Sequence, residues 1–188
     1  MESIGLILGI ILVLVIIFVV AIYNGLVRKR MYVKESWSNI DVQLKRKGNV
    51  LPNLVDVIKM QTAYEGDLLE KLTKARTGIV SGSPEDRLSA SDNVNKMMPN
   101  IYAVAENYPV LGANESFRKL MEEIRDSEDK ITYARQRYNV TVNDLNTATQ
   151  TFPSNIIAAM FKFKAEGFYE IEQTQREDYD NMRIKDIK

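Results

Sequence analysis

The sequence predicts an all-α fold, with an N-terminal transmembrane helix followed by an elongated antiparallel bundle of three or four helices. Three observations carry this prediction. An uncharged apolar run extends from Ile4 to Ile22, and apolar residues then recur at spacings of three and four through most of the chain. With 9 Gly and 5 Pro in 188 residues, turn chemistry is too sparse for an all-β fold. The expected divisions are a short N-terminus at 1–3, the span at 4–22, the bundle at 23–152, and an amphipathic segment with a charged tail at 153–188.

As a helix the apolar run is about 28 Å long, close to a hydrocarbon core of about 30 Å. It is rich in β-branched residues, but a lone strand in lipid would leave its backbone unpaired. A cleaved signal peptide would begin with basic residues, whereas Glu2 stands there and the run ends in AIYNG, so a retained anchor is the preferred reading. Gly5 and Gly9 have the spacing that lets two membrane helices approach closely. The membrane-interface residues are Tyr23, Arg28, Lys29 and Arg30. With Lys34, these cations place the N-terminus outside the cell membrane and the bundle in the cytoplasm.

No turn signal separates the span from the next apolar face, Val33, Trp37, Ile40 and Leu44. Lys45, Arg46 and Lys47 suit the end of that helix. Gly48 is a candidate stop, with Pro52 opening the next helix. A second stripe, including Leu51, Leu54, Ile58 and Leu72, runs out near Gly78. Ser83 is the expected N-cap and Pro84 the first residue of a third helix, whose stripe is Leu88, Val94, Met98, Ile101 and Ala105. Pro99 implies a kink or break there, and Asn107 to Gly112 a connection. The strongest periodicity is Phe117, Leu120, Ile124, Ser127, Ile131, Ala134, Tyr138, Thr141, Leu145, Ala148 and Phe152. It describes one helix of about 57 Å, from about Asn114 to Thr151, with a heptad seam. The expected bundle core is therefore Trp37, Ile40, Leu44, Leu54, Ile58, Phe117, Leu120, Ile124, Ile131, Tyr138 and Leu145. The segment after Pro153 reads as an amphipathic helix on a membrane or partner, or as a cap over the bundle end, with the cap favoured. Residues beyond Glu170 are mostly charged and are expected to fray.

The chain contains neither His nor Cys, which removes the common general base, thiolate chemistry and the usual zinc ligands. Lys+Arg and Asp+Glu are 25 each, which argues against a nucleic-acid binder. Glu122, Glu123, Asp126, Glu128 and Asp129 lie off the seam among Lys119, Arg125 and Lys130, so a solvated, salt-bridged face accounts for them. No phosphate loop or calcium-loop spacing occurs. No catalytic residue, cofactor, metal site or small-molecule substrate is expected.

The strings WSNIDVQLKRKGNVLPNLVDVIK (Trp37 to Lys59) and YPVLGANESFRKLMEEIRDSEDKITYARQRYNVTVNDLNTATQTFPSNIIAAMFKFK (Tyr108 to Lys164) resemble the LemA family. So does the order of short N-terminus, single span and basic juncture; the stretch from Gly78 to Asn107 is the least typical. The resemblance implies a single-pass bacterial membrane protein with a helical bundle and no established enzymatic activity. Genes of this family often lie near membrane metalloproteases. The leading expectation is a non-enzymatic membrane-anchored scaffold that self-associates through its helices. The alternative is a regulatory or adaptor subunit of a membrane enzyme such as a metalloprotease. The expected partners are the lipid bilayer, further copies of the chain and a membrane protein.

Overall fold

The computed structural model describes residues 2–62 and 66–169. Among them there are six helices and no strand: α1 (Glu2–Gln61), α2 (Asp67–Ser81), α3 (Pro84–Asn107), α4 (Pro109–Ala113), α5 (Glu115–Gln150) and α6 (Ser154–Met160). The fold is all-α, with a long apolar helix first and the other helices after it. The charged tail beyond Glu170 lies outside the described residues.

Helix α1 corrects the expected break. It runs unbroken through Gly48 and Pro52 to Gln61. A proline inside a helix forfeits the hydrogen bond to the carbonyl four residues back and crowds that carbonyl, which here belongs to Gly48. Tertiary packing on both sides of Pro52 outweighs that cost, since Val50, Leu51, Leu54 and Val55 are all buried. Gly48 has a different task from stopping the helix. A Cβ there would come within 3.1 Å of the Ile79 side chain, so glycine admits close approach of α2. Helix α2 likewise continues past Gly78, where a Cβ would lie 2.8 Å from that of Ala90 on α3.

Helix α3 starts as its sequence specifies. Pro84 is its first residue, the Ser83 hydroxyl accepts the Asp86 N–H at 3.2 Å, and the Asp86 carboxylate accepts the Ser83 N–H at 3.3 Å. Pro99 does not interrupt it. Its core face is Leu88, Ser91, Val94, Met97, Ile101 and Val104, one residue earlier at two places than the expected Met98 and Ala105. The polar Ser91 continues the helical period. Omitting it shifts the stripe.

The chain divides into two compact units, one comprising Ser36–Arg135 and the other Met1–Glu35 with Gln136–Lys188. In the first unit, α1, α2, α3 and α5 enclose one apolar core that includes Leu44, Ile58, Leu72, Ile79, Ile101 and Ile124. Directions follow from side-chain pairing. Asp41 meets Arg87 and Lys47 meets Ser91, so α1 and α3 run parallel. Arg135 meets Asp92, and Lys47 bonds both Asn95 and Glu128, so α5 runs antiparallel to them. Among its described residues the second unit holds two small clusters. Leu26, Ile157 and Ala158 form one, and Val33, Val142 and Leu145 form the other.

The α5 seam is buried at Phe117, Ile124, Ser127, Ile131, Ala134 and Leu145. Met121 and Val142 are also buried, whereas Leu120 and Thr141 are only half-buried. A helix in a globular bundle buries a wider stripe than a two-stranded zipper does. Phe152, expected to close the seam, falls beyond the end of α5 and is 75% exposed.

Candidate functional site

Inside the Ser36–Arg135 unit the largest fully buried side chain is charged. Lys47 is 0% exposed, in the C-terminal part of α1 on the stripe Ile40, Leu44, Leu51 and Leu54. Its Nζ donates to Glu128 Oε2 at 2.7 Å, Asn95 Oδ1 at 2.7 Å, Ser91 Oγ at 2.9 Å and the Ser91 carbonyl at 3.1 Å. An ammonium has three hydrogens, so the two Ser91 acceptors share one. Burying an unpaired ammonium would be prohibitive; this one is fully satisfied.

The local electrostatics follow from burial and pairing. Burial pushes the Lys47 ammonium below its ordinary value, against the opposing pull of Glu128 and Asp92. Burial alone would raise Glu128, but the Lys47 charge and hydrogen bond, with Asn95 and Arg135, hold it below the usual carboxylate value. For Asp41 the same contest is won by hydrogen bonds from Lys45 and Arg87 and by the charges of both cations.

This arrangement revises two expectations. Lys45, Arg46 and Lys47 do not sit at a helix end, because α1 continues for a further 14 residues from Lys47 to Gln61. The acidic cluster is not wholly a solvated face. Glu128 neutralises Lys47, while Arg46 reaches Glu123 at 3.1 Å and Asp126 at 2.9 Å. Glu122 and Asp129 are exposed. The signal for Lys47 was present in the sequence, since its spacing from Leu44 and Leu51 is three and four.

Of the expected core residues, the structure buries Ile40, Leu44, Leu54, Ile58, Phe117, Ile124, Ile131 and Leu145. Trp37, Leu120 and Tyr138 are half-buried. Tyr138 packs at the margin of the Val33 cluster, and its hydroxyl donates to the Gly167 carbonyl at 3.2 Å.

The second unit assembles the expected membrane-interface residues with a segment far away in sequence. The Tyr23 ring lies 4.7 Å from that of Phe161 and 5.9 Å from that of Phe163. The Arg30 guanidinium sits 5.0 Å over the Phe163 ring, a cation–π geometry. Leu26 is buried against Ile157 and Ala158, with Val19 and Ile22 packed around them. Arg28 is exposed and Lys29 half-buried.

Two asparagines on α5 strap down the irregular chain that follows α6. The Asn146 amide donates to the Glu166 carbonyl at 2.9 Å and accepts the Glu166 N–H at 2.9 Å. Asn139 does the same to Tyr169 at 2.9 and 2.8 Å. Each amide thereby imitates a backbone partner and satisfies groups that would otherwise need water. Sequence periodicity has no means of finding such a strap.

An open groove of about 460 Å³ between α2 and α3 is edged by Lys71, Lys74, Lys96, Ser89 and Asn93. Among the described residues no group of three or more Asp or Glu is placed to hold a metal ion.

A helical chain whose first helix is long and apolar enough to cross a bilayer, with Tyr23, Phe161, Phe163 and Arg30 clustered where that apolar stretch ends, has the features of a membrane-associated protein. The LemA family profile matches residues 36–181, most of the chain, and the chain belongs to that family. It is similar to the magnetosome proteins MamQ 1 and MamQ 2 of Paramagnetospirillum magneticum, each 22% identical over 175 residues, 79% of this chain and 64% of theirs. Magnetosome protein MamQ of Magnetospirillum gryphiswaldense is 23% identical over 176 residues, 79% of this chain and 65% of its own. The chain thus spans 64–65% of the length of these curated relatives.

Proposed function

We propose that this LemA-family chain is a non-enzymatic, membrane-anchored scaffold whose copies associate laterally. The supporting observation is where apolar surface remains. Most of the α5 seam is buried within the chain and offers little surface for self-association, whereas the large apolar side chains from Ile4 to Ile17 stay more than half exposed. Within that stretch nothing lies within 4 Å of a Cβ built on Gly5 or Gly9, leaving a small-residue face open to another helix. Anchoring confines copies to one plane and raises their effective concentration, so weak lateral contacts suffice. Formal neutrality removes net repulsion between them.

The non-enzymatic reading rests on how the charged groups are used. Lys47, Glu128, Asp41, Arg87, Asp92 and Arg135 pair with one another within the bundle. The MamQ relatives are named for the magnetosome and not for a reaction, and a scaffold agrees with that. The basic residues after the span favour a cytoplasmic bundle.

Mass photometry of the full chain in lipid nanodiscs tests the scaffold. Masses above the monomer that collapse when Gly5 and Gly9 are both replaced by Ile support it, and a single monomer mass in every lipid overturns it. Orientation is tested separately with an impermeant thiol reagent on intact cells producing Ser83→Cys in this cysteine-free chain. Labelling without permeabilisation would put the bundle outside.

A further inference from the structure

Helix α6 has two unlike faces. Ile157 and Ala158 are turned inward against Leu26. Ile156 and Met160 remain 53% and 64% exposed, and the flanking Phe152 and Phe161 are 75% and 49% exposed. Four large apolar side chains in one short stretch form a patch that soluble surfaces rarely leave open.

The level of that patch is fixed by its contacts. Its inward face packs on Val19, Ile22 and Leu26, the last turns of the apolar run of α1, and Phe161 meets the Tyr23 ring. If α1 crosses a bilayer, these residues stand where acyl chains give way to headgroups, and so does α6. Arg30 lies about 10 Å further along α1, at about 1.5 Å per residue, and caps the neighbouring Phe163.

Charge points the same way. No acidic residue occurs between Asp144 and Glu166, or between Glu2 and Glu35. The two stretches carry Arg28, Lys29, Arg30, Lys34, Lys162 and Lys164. Lys162 and Lys164 are exposed beside the apolar patch. Apolar residues at the acyl boundary with cations just above them are the signature of an element lying in the interface of an anionic leaflet.

We propose that α6 with its flanks is a second, monotopic membrane contact. Phe152, Ile156, Met160 and Phe161 sit in the acyl–headgroup boundary of the leaflet from which α1 emerges, and Lys162 and Lys164 lie at anionic headgroups. The occupant of the patch is lipid. This inference rests on the reading of α1 as a span, and it adds that the chain touches the bilayer twice. The Asn146 and Asn139 straps return the chain to α5 just after α6, which holds the element at that depth.

The absence of native cysteine makes the test direct. The full chain carrying a nitroxide at Met160→Cys, Val13→Cys or Asp129→Cys is reconstituted into phosphatidylcholine–phosphatidylglycerol liposomes. Power saturation then reads accessibility to oxygen against a polar nickel chelate. The expected result is an oxygen-to-nickel ratio at 160 several-fold above that at 129, approaching that at 13. In the same liposomes, adding Lys162→Gln and Lys164→Gln lowers the ratio at 160, and omitting phosphatidylglycerol abolishes that difference. A lipid-like Val13 with a water-like Met160 overturns the second contact alone, whereas a water-like Val13 overturns the span and the second contact together. Spin–spin broadening at 160 that disappears on dilution with unlabelled protein would mean that another copy covers the face, and would overturn the lipid assignment.

Discussion

Residues 36–135 close their apolar stripes on one another, and the largest side chain fully buried among them is a lysine with its own carboxylate. The other unit, among its described residues, buries two clusters of three residues each and leaves large apolar side chains outside, from Ile4 to Phe18 and at Phe152, Ile156, Met160 and Phe161. Its polar contacts include a cation on a ring, a tyrosine hydroxyl on a carbonyl and two side-chain amides on backbone. The difference reflects solvent. A unit surrounded by water gains most by hiding its apolar area, and any charge it hides must be paired. A unit in contact with lipid gains nothing by folding apolar surface inward, so it can leave that surface exposed and spend its few specific contacts on position.

The sharpest way to break this contrast is to orphan the buried charge. Glu128→Ala leaves Lys47 buried without its counter-ion and is expected to destabilise the full chain by about 3–5 kcal/mol in denaturant melts near neutral pH. Replacing the pair together, Lys47→Met with Glu128→Leu, is expected to be close to neutral or stabilising. A small cost for the single change would mean that water reaches Lys47. A large cost for the double change would mean that the pair contributes more than its own desolvation.

Next in size are cavities. Ile101→Ala in the bundle core is expected to cost about 2–5 kcal/mol. Leu26→Ala, in a three-residue cluster, should fall at or below the lower end of that range, because the site can collapse or be filled by lipid. Native-state hydrogen exchange separates the two, with the bundle amides losing protection only in the first variant. Equal costs would erase the distinction between the units.

Acid should act on the bundle first. Glu128 and Asp41 are held below their ordinary values of 4.5 and 3.8. As pH falls below those values the unfolded chain takes up protons before the folded one does. Their stabilisation is therefore whole above about pH 4.5 and drains as pH falls through the folded values. Lys47 is also lowered, from 10.5, so its contribution improves as pH rises from the folded value toward 10.5. Melts of Glu128→Gln should show a shallower loss below pH 4.5 than the parent. A parallel loss would assign acid unfolding to other carboxylates.

Smaller effects come from single local bonds. Ser83→Ala removes a reciprocal cap and should cost about 1 kcal/mol, measured by the same melts. Arg30→Gln removes an exposed cation–π contact and should cost about 0.5–1 kcal/mol, read as a lower detergent melting temperature. If it instead costs more than Ser83→Ala, the ring contacts at the end of the span carry more of that unit than its burial suggests.

What the sequence determined by itself are the features set by local chemistry and composition. The uncharged run requires a nonpolar solvent or a core, whatever follows it. The spacing of three and four requires helices, and Ser83, Pro84 and Asp86 supply their own cap within four residues. The absence of His and Cys removes whole classes of chemistry before any contact is known. The family resemblance, carried by two long strings, holds over residues 36–181.

Only the tertiary structure decided what depends on a partner distant in the chain. Gly48 and Pro52 look like punctuation, but the packing of Ile79 against one and the burial around the other keep α1 continuous. Lys47 looks like a solvated cation until Ser91, Asn95 and Glu128, from 44 to 81 residues away, converge on it. The same holds for α6, whose periodicity fits a cap as well as a membrane face. Its inward residues pack on Leu26 while Ile156 and Met160 stay more than half exposed, and that division depends on the fold of α1 and α5 around it. Short-range preferences amount to tenths of a kcal/mol per residue, whereas burying a large side chain or pairing a buried charge is worth kilocalories, so the contacts prevail wherever the two disagree.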